Sequence, residues 1–323
     1  MMAVLKRIVW AACLSLFCLN FANATAPANF NQAKILLKQH VYFDQNKNGA
    51  LGSTYCGCDW RWVGRSGGRI DHESCGYKVR AQQTRADRTE WEHIFAAHHF
   101  GQQRQCWQNG GRKNCNATDP TFNKMEADMH GLTVVSGEVN ADRSNYRMGV
   151  VSSAHDGMYG ACRSKTDFKN RVFEPRNEAK GMVARVHFYF ADRYRLRLSV
   201  AQQKLFILWD EKHPVSDWEA LRDKRIARIM GHHNEFVTGE RTWTLGHKSS
   251  GDGVARSSGV RDAARVPPVA ANDSSFIRGN RNSKIYHLPA CPSYDAMNPR
   301  NRVEFSDESK AIESGYRKAR NCP

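Results

Sequence analysis

A carboxylate next to an imidazole is the most informative pair in the sequence. The segment Arg88–Ile94 reads Arg-Thr-Glu-Trp-Glu-His-Ile, so Glu92 and His93 are adjacent. Glu92 offers hard oxygen atoms to a cation such as Mg²⁺. His93 can accept a proton near neutral pH, because a free imidazole has a pKa of about 6.5. The segment favours a β-strand, which turns the two side chains to opposite faces. Taken alone, such a pair is better explained by a partly buried structural histidine.

The set of side chains suited to phosphodiester hydrolysis is completed by two more residues, which lie later in the chain. Asn140 adds a second oxygen ligand, and Arg112 can stabilise negative charge on a phosphate. An imidazole that activates water, a cation on oxygen ligands and an arginine are the parts of metal-assisted hydrolysis. Zinc is a weaker interpretation, because His98 and His99 do not lie at i, i+4 from His93.

The N-terminal segment has the features of a secretory signal peptide, residues 1–24. Lys6 and Arg7 precede the apolar run Ile8–Phe21, and Ala22–Ala24 supplies small residues for cleavage after Ala24. The run is short for a membrane-spanning helix, which needs about 20 apolar residues. The alternatives are a buried N-terminal helix and a membrane anchor. We expect a periplasmic or secreted protein that has no membrane contact after cleavage.

Composition restricts the class of protein. The chain has 323 residues, of which 41% are hydrophobic and 25% charged. These values exclude a collagen-like repeat, a multi-span membrane protein and a wholly disordered chain. Lys and Arg outnumber Asp and Glu by 48 to 32, a formal charge of +16 that falls by two, to +14, when Lys6 and Arg7 leave. This charge favours an anionic partner, either nucleic acid or a membrane surface.

The cysteines predict disulfides. Of the ten in the sequence, Cys13 and Cys18 leave with the signal and an even number remains. In an exported protein an even set forms bridges, since the compartment is oxidising. Zinc is the alternative, but neither the segment Cys56–Cys58 nor the pair Cys106 and Cys115 has the C-x2-C spacing that brings two thiolates onto one ion.

Hydrophobic periodicity divides the mature chain into a large domain, a linker and a small unit. Residues 25–237 form one domain, in which a bridged region of short strands and loops separates an early helix from the helices of residues 177–231. Residues 238–275 have no apolar periodicity and are rich in Gly, Ser, Ala and Asp, so we expect a flexible linker. Residues 276–323 are a small accessory unit that needs a covalent clamp to supplement its core. The early helix carries an apolar stripe of Phe30, Ala33, Leu37 and Val41.

The large domain resembles the bacterial endonuclease I family of secreted or periplasmic non-specific nucleases. The matching blocks are Tyr55–Cys58, Ser74–Tyr77, Glu90–His93, Gln105–Cys115, Glu138–Asn145, Lys180–Arg185 and Pro214–Glu219. They occur in order and at compatible spacing. The resemblance implies an α+β fold with a mixed ββα-metal (His-Me finger) endonuclease core and several helices. To this core the chain adds a small disulfide-closed C-terminal α+β unit.

The resemblance also implies a role for each of five residues. His93 matches the general base, Glu92 and Asn140 match metal ligands, Arg112 matches the phosphate-stabilising arginine, and Glu126 matches an acidic position that supports the catalytic site. The implied cofactor is Mg²⁺, with Ca²⁺ or Mn²⁺ as alternatives. The implied partner is DNA, with RNA as a second substrate. We expect a monomer with little sequence preference, since contacts to phosphates carry no sequence code.

The C-terminal unit resembles the small zinc-binding domain of the Ada DNA-repair protein, in segments Ile285–Cys291, Arg302–Phe305 and Gly315–Cys322. That domain holds zinc on four cysteines. The corresponding residues here are His287, Cys291, Ala319 and Cys322, so one ligand is absent and another is changed. We therefore expect a Cys291–Cys322 disulfide and no stoichiometric zinc. The unit has a net positive charge, which fits either nucleic-acid binding or a solvated surface.

Two other classes of protein compete with an exported, Mg²⁺-dependent, sequence-non-specific endonuclease. One is a nuclease-derived protein that binds extracellular DNA without cutting it. Such a binding protein would not need all of Glu92, His93, Arg112 and Asn140. The other is a structural zinc protein, in which the cysteines would be metal ligands. The complete set of candidate catalytic residues favours the endonuclease.

Overall fold

The computed structural model describes most of the chain after the signal segment. The described residues are 26–47, 51–254, 277–288, 301–305 and 308–319, with Cys291, Tyr294, Met297 and Cys322. The chain divides into two compact units, Met1–Ser257 and Ser258–Pro323. The predicted signal peptide, residues 1–24, and residues 255–275 of the predicted linker lie outside the described residues. No helix in the described ranges is long and apolar enough to span a membrane.

The described part of the first unit contains, near its start, a helix that packs against the core through one stripe. Helix α1 spans Phe30–Leu36, and the chain continues as a π-helical turn over Leu37–Val41. Ala33, Leu37 and Val41 are fully buried, as their helical spacing predicted. The helical interpretation of this segment is therefore confirmed.

Short strands and helices make up the region from residue 60 to residue 174. The strands are β1 Trp60–Val63, β2 Gly67–Ile70, β3 Thr89–His93, β4 Leu132–Ser136, β5 Arg147–Met148, β6 Lys165–Asp167 and β7 Val172–Glu174. The helices are α2 Gln83–Ala86, α3 Ala97–Gly101, α4 Gln105–Gln108, α5 Gly111–Thr118, α6 Pro120–Ala127 and α7 Gly137–Arg143. β1 pairs with β2, β3 pairs with β4, and β5, β7 and β6 form a three-stranded sheet in that order.

Two paired strands lead directly into a helix and form a ββα unit. β3 and β4 are antiparallel, with Glu92 opposite Thr133. Helix α7 begins at Gly137, the residue after β4. A Cβ atom at Gly137 would lie 2.5 Å from the carbonyl oxygen of Arg85, so a glycine is needed where this helix starts. The α+β fold with a ββα core is confirmed.

Three long helices follow, and two of them begin at serine caps. These helices are α8 Asn177–Arg193, α9 Val200–Lys212 and α10 Asp217–Met230, and a short α11, Glu235–Thr238, comes after them. Ser199 and Ser216 accept the backbone N–H groups of Gln202 and Glu219, each at 3.2 Å. Helix α8 is buried along most of its length and lies at the centre of the larger hydrophobic core.

Residues 239–254 remain packed on the first unit, although their composition predicted a linker from residue 238. Trp243 is buried. His247 Nε2 and the backbone N–H of Ser250 both donate to the Asp192 carboxylate of α8, at 2.7 and 2.9 Å. The composition did not predict this order because the order depends on a residue elsewhere in the fold. The buried carboxylate of Asp192 accepts hydrogen bonds from the segment and so holds it in place without apolar periodicity.

Three disulfides join the irregular region, in agreement with the disulfides that the even cysteine count predicted. They are Cys56–Cys162, Cys58–Cys75 and Cys106–Cys115. The first closes a sequence separation of 106 residues and the last a separation of 9. Cys56–Cys162 therefore constrains the unfolded chain most strongly.

Replacing Cys56 and Cys162 together by serine should lower the free energy of unfolding by about 2–5 kcal/mol. The matched control is the pair Cys106→Ser and Cys115→Ser, whose shorter loop should cost less. Denaturant unfolding of both variants measures the difference. A wild-type midpoint for the first variant, or free thiols at these positions in the unreduced protein, would contradict the expectation.

The second unit is a small α+β fold. Among its described residues, the strands are β8 Ile277–Asn280, β9 Ile285–His287, β10 Arg302–Phe305 and β11 Arg317–Lys318, and the helix is α12 Glu308–Glu313. They form one sheet in the order β10-β8-β9-β11. A small apolar cluster that includes Tyr286, Phe305 and Tyr316 forms its core. The predicted Cys291–Cys322 disulfide is present.

Candidate active site

The imidazole of His93 lies among aromatic rings at the end of β3. The Phe30 ring is 4.6 Å from it, centroid to centroid, and the Phe100 ring is 6.2 Å away. Nε2 of His93 lies 3.0 Å from the carbonyl oxygen of Glu126. Because a carbonyl oxygen can only accept, Nε2 carries the ring proton and Nδ1 keeps the lone pair.

The surroundings of His93 keep its ring neutral. Burial lowers the pKa of His93 to about 3, and the positive charges of Arg112, Arg143 and Lys34 act in the same direction. The hydrogen bond to Glu126 opposes them. At neutral pH the ring is therefore in the form that can accept a proton at Nδ1.

Glu126 connects His93 to Arg112. While its backbone oxygen accepts from His93, its carboxylate accepts from Nε of Arg112 at 2.5 Å and from Nδ2 of Asn116 at 2.6 Å. The Glu126 side chain is 6% exposed, whereas that of Arg112 is 49% exposed. The contact uses only Nε of Arg112, so both Nη groups can meet an anion. The structure thus brings His93, Glu126 and Arg112 together.

Glu92 meets a different set of residues from His93, in agreement with the alternation of side chains along a strand. The Tyr55 hydroxyl donates to Oε1 of Glu92 at 2.9 Å, and Nη1 of Arg143 lies 3.0 Å from the same oxygen. Burial raises the pKa of Glu92, although the charge of Arg143 and the hydrogen bond from Tyr55 oppose this. Both contacts fall on Oε1, which leaves Oε2 as the oxygen that can bind a cation.

Asn140 lies on α7, one turn before Arg143, and both residues face β3. Nδ2 of Asn140 donates to Oε2 of Glu90 at 2.9 Å. Glu90 and Glu92 are two residues apart on β3 and share one face of the strand. Since Asn140 contacts Glu90 and Arg143 contacts Glu92, α7 crosses this face. The structure therefore places Glu92 and Asn140 in the same layer, between β3 and α7.

The donor atoms between β3 and α7 fit a small divalent cation. Oε2 of Glu92 is a hard oxygen donor, and so is Oδ1 of Asn140, which the hydrogen bond from Nδ2 leaves unused. Mg²⁺ usually takes one or two protein oxygens and completes its shell with water and substrate phosphates. A cation here would also offset the buried charge of Glu92. In the described part of the first unit, no three His, Cys, Asp or Glu side chains lie close enough together to suggest zinc.

Arg143 and Tyr55 are site residues that the sequence did not single out. Arg143 is almost fully buried and, besides contacting Glu92, donates to the carbonyl oxygen of His93 at 3.0 Å. It therefore fixes the end of β3 from which both candidate residues project. The sequence feature that could have identified Arg143 is its position three residues after Asn140, which puts both residues on the same helix face. Tyr55 lies in one of the matching blocks, but no local sequence pattern indicated its hydrogen bond to Glu92.

The second unit contains a group of possible metal ligands whose sulfurs are already bonded to each other. His287, Cys291 and Cys322 each have a donor atom within 4.8 Å of the others. Cys291 and Cys322 form a disulfide, and Ala319 has no ligand atom for the fourth position. Nδ1 of His287 is buried and has no hydrogen-bond partner in the described residues. The oxidised unit thus does not fit a four-ligand zinc site.

A strand that ends in Glu-His, an antiparallel partner and a helix that carries an amide side chain are consistent with a nuclease of the ββα-metal class. Residues 29–240 match the family profile of Endonuclease I, and the chain belongs to that family. It is therefore a nuclease, a hydrolase of nucleic acid. Residues 262–323 match the metal binding domain of Ada. Both resemblances inferred from the sequence are confirmed.

Curated relatives agree with this assignment. The chain is 43% identical over 210 residues to Endonuclease-1 of Buchnera aphidicola subsp. Baizongia pistaciae, covering 65% of this chain and 82% of that one. It is 46% identical over 184 residues to a periplasmic deoxyribonuclease of Aeromonas hydrophila (57% and 76%). An extracellular deoxyribonuclease of the same species is 44% identical over 184 residues (57% and 79%). These relatives confirm the predicted periplasmic or secreted location.

Proposed function

We propose that the chain is a Mg²⁺-dependent endonuclease that hydrolyses DNA, and RNA as a second substrate, with little sequence preference. The observation that carries this proposal is the double contact of Glu126. Its backbone binds His93 and its side chain binds Arg112, so one residue sets the distance between a proton acceptor and a phosphate-binding cation. Relatives named deoxyribonucleases support DNA as the substrate.

In this mechanism His93 takes the proton of the attacking water at Nδ1. Nε2 is committed to the Glu126 carbonyl, so Nδ1 is the atom that accepts. The rings of Phe30 and Phe100 limit the access of bulk water to the imidazole. Arg112 offsets the charge that develops on the phosphate, through the Nη groups that Glu126 leaves unused.

Glu92 and Asn140 would hold the cation through Oε2 and Oδ1. When bound, a divalent cation supplies Lewis-acid stabilisation of charge on the phosphate and on the leaving oxygen. Glu90 orients Asn140 by accepting from its Nδ2. Burial opposes ionisation of Glu90, but hydrogen bonds from Arg85, Arg88 and Asn140 hold the pKa of Glu90 below its usual value. The amide oxygen of Asn140 is thereby directed away from Glu90.

Cleavage of supercoiled plasmid with and without EDTA tests the proposal. The wild-type chain should convert the plasmid to nicked and linear forms, lose this activity in EDTA, and regain it when Mg²⁺ is restored. Binding of the plasmid without nicking in Mg²⁺ would instead identify a DNA-binding protein derived from a nuclease. Nicking that continues in EDTA would contradict a dependence on metal.

The C-terminal unit should be dispensable for chemistry and should contribute to DNA affinity. All the proposed catalytic residues lie in the first unit, whereas residues 276–323 have nine Lys and Arg against five Asp and Glu. A chain that ends after Val254 should still cut DNA but bind it more weakly. Its plot of log affinity against log salt should be shallower, by about 0.9 for each phosphate that the second unit neutralises in the full chain.

Affinities of the full and shortened chains across a salt series measure this contribution. Both chains should carry His93→Ala, so that the DNA stays intact during the measurement. Identical affinities and slopes would mean that the positive charge of the second unit is a solvated surface with no role in DNA binding.

A further inference from the structure

A lysine on α1 contacts the same aromatic ring as the candidate general base. Nζ of Lys34 is 4.6 Å from the centroid of the Phe30 ring. The same ring packs against the imidazole of His93 at 4.6 Å. Lys34 and Phe30 are four residues apart on the helix, which makes them neighbours on one helix face. The helix therefore presents a positive charge beside the candidate site.

The charge of Lys34 is not neutralised by a carboxylate of the described residues. None of their ion pairs includes this lysine, in contrast to Arg112, which is bound by Glu126. Burial lowers the pKa of Lys34, and the nearby charge of Arg112 lowers it further. Two neighbouring cations, of which only Arg112 is paired with a carboxylate, leave a net positive charge that an anion would offset.

The next lysine along the same segment is arranged differently. Lys38 is also half-buried, but its Nζ donates to the carbonyl oxygen of Gly64 at 2.6 Å and lies 5.3 Å from the Trp62 ring. The ammonium group of Lys38 is thus already bound to the hairpin that β1 and β2 form. Lys38 is the natural control for Lys34, because it is the same residue type on the same segment and is also half-buried.

We propose that Lys34 is a second phosphate-binding residue, which together with Arg112 holds the DNA phosphate presented to His93. This inference rests on the proposed nuclease function. The two cations differ in what they contribute. Arg112 is a planar fork whose orientation Glu126 fixes, whereas Lys34 is a compact point charge with three rotatable donors. Arg112 therefore orients the phosphate, and Lys34 adds attraction that is independent of orientation.

Charge-removing variants of the two lysines test the assignment. Lys34→Met keeps the aliphatic stem over Phe30, and Lys34→Gln keeps a polar end. Both should raise the KM for a DNA duplex about 10-fold with little change in kcat, because a contact made equally before and during the reaction affects only binding. Lys34→Arg keeps the positive charge and should therefore retain most of the wild-type affinity for DNA. Lys38→Met should keep the wild-type KM.

The salt dependence of binding provides a second readout. With His93→Ala in each chain, Lys34→Met should lower the slope of log affinity against log salt by about 0.9, the value for one phosphate contact. Lys38→Met should leave the slope unchanged. The midpoint of thermal unfolding shows whether each variant is folded.

The outcomes separate this inference from the function on which it rests. A wild-type KM and slope for folded Lys34→Met, alongside active wild-type enzyme, would overturn the role of Lys34 and leave the nuclease function standing. Equal losses in Lys34→Met and Lys38→Met would also overturn it, since the effect would then be one of general charge. If the wild-type chain does not cut DNA, the proposed function itself fails.

Discussion

A chain with His93→Ala should fold and bind DNA but cut it about 10²–10⁴ times more slowly, the usual contribution of a general base. The substitution removes Nδ1, the lone pair proposed to take the proton of the attacking water. It leaves Glu126 bound to Arg112, so the phosphate contact is retained. Single-turnover cleavage of a labelled duplex gives the rate, and binding of the same duplex in the absence of Mg²⁺ gives the affinity.

His72 supplies the matched control for this substitution. Its Nε2 also binds a backbone carbonyl, that of Ala86, at 3.1 Å, but it lies in the connection between β2 and α2. His72→Ala should therefore remove a comparable hydrogen bond and keep the wild-type rate. Wild-type turnover by a folded His93→Ala chain would refute the mechanism. Equal losses in the two variants would point to a structural role for both histidines.

Glu92→Gln should raise the Mg²⁺ concentration for half-maximal cleavage by at least about 10-fold. Even outer partners of metal ligands change metal affinity by about 10–100-fold when they are removed, and Glu92 is proposed to bind the cation directly. The amide can still accept a hydrogen bond from Tyr55, so the change acts mainly on charge. Asn140→Ala should act in the same direction, because it removes Oδ1.

Two controls separate metal binding from stability in this experiment. Glu178→Gln removes an exposed carboxylate that pairs with Arg163 and should leave the Mg²⁺ requirement unchanged. Glu92→Ala leaves Arg143 buried without its partner, which typically costs about 3–5 kcal/mol, so thermal unfolding should report that loss. An unchanged Mg²⁺ requirement in both Glu92→Gln and Asn140→Ala would mean that the cation is held by other residues.

Much of the fold could be predicted because the controlling interactions are local. Two of the helices within residues 177–231 begin where Ser199 and Ser216 cap them, and a cap acts over three residues. The separation of Glu92 and His93 follows from the two-residue period of a strand. The disulfide content followed from an even cysteine count in an exported chain.

The remaining features depend on contacts between residues far apart in the sequence. Tyr55 binds Glu92 across 37 positions, and no local pattern indicates this pairing. The segment 239–254 has the composition of a linker, yet it is ordered because Asp192 on α8 accepts hydrogen bonds from it. The relation of Lys34 to His93 is visible only in the structure, where both residues contact the Phe30 ring.

The incorporation of heavy oxygen from labelled water into the phosphate ends of cut DNA tests the central claim most directly. If His93 activates water, each cut made by the wild-type chain in Mg²⁺ should place one solvent oxygen on the new phosphate end. In His93→Ala the rate of incorporation should fall by about 10²–10⁴, while in His72→Ala it should stay at the wild-type rate. New phosphate ends without solvent oxygen, or undiminished incorporation by a folded His93→Ala chain, would contradict hydrolysis by water activated at His93.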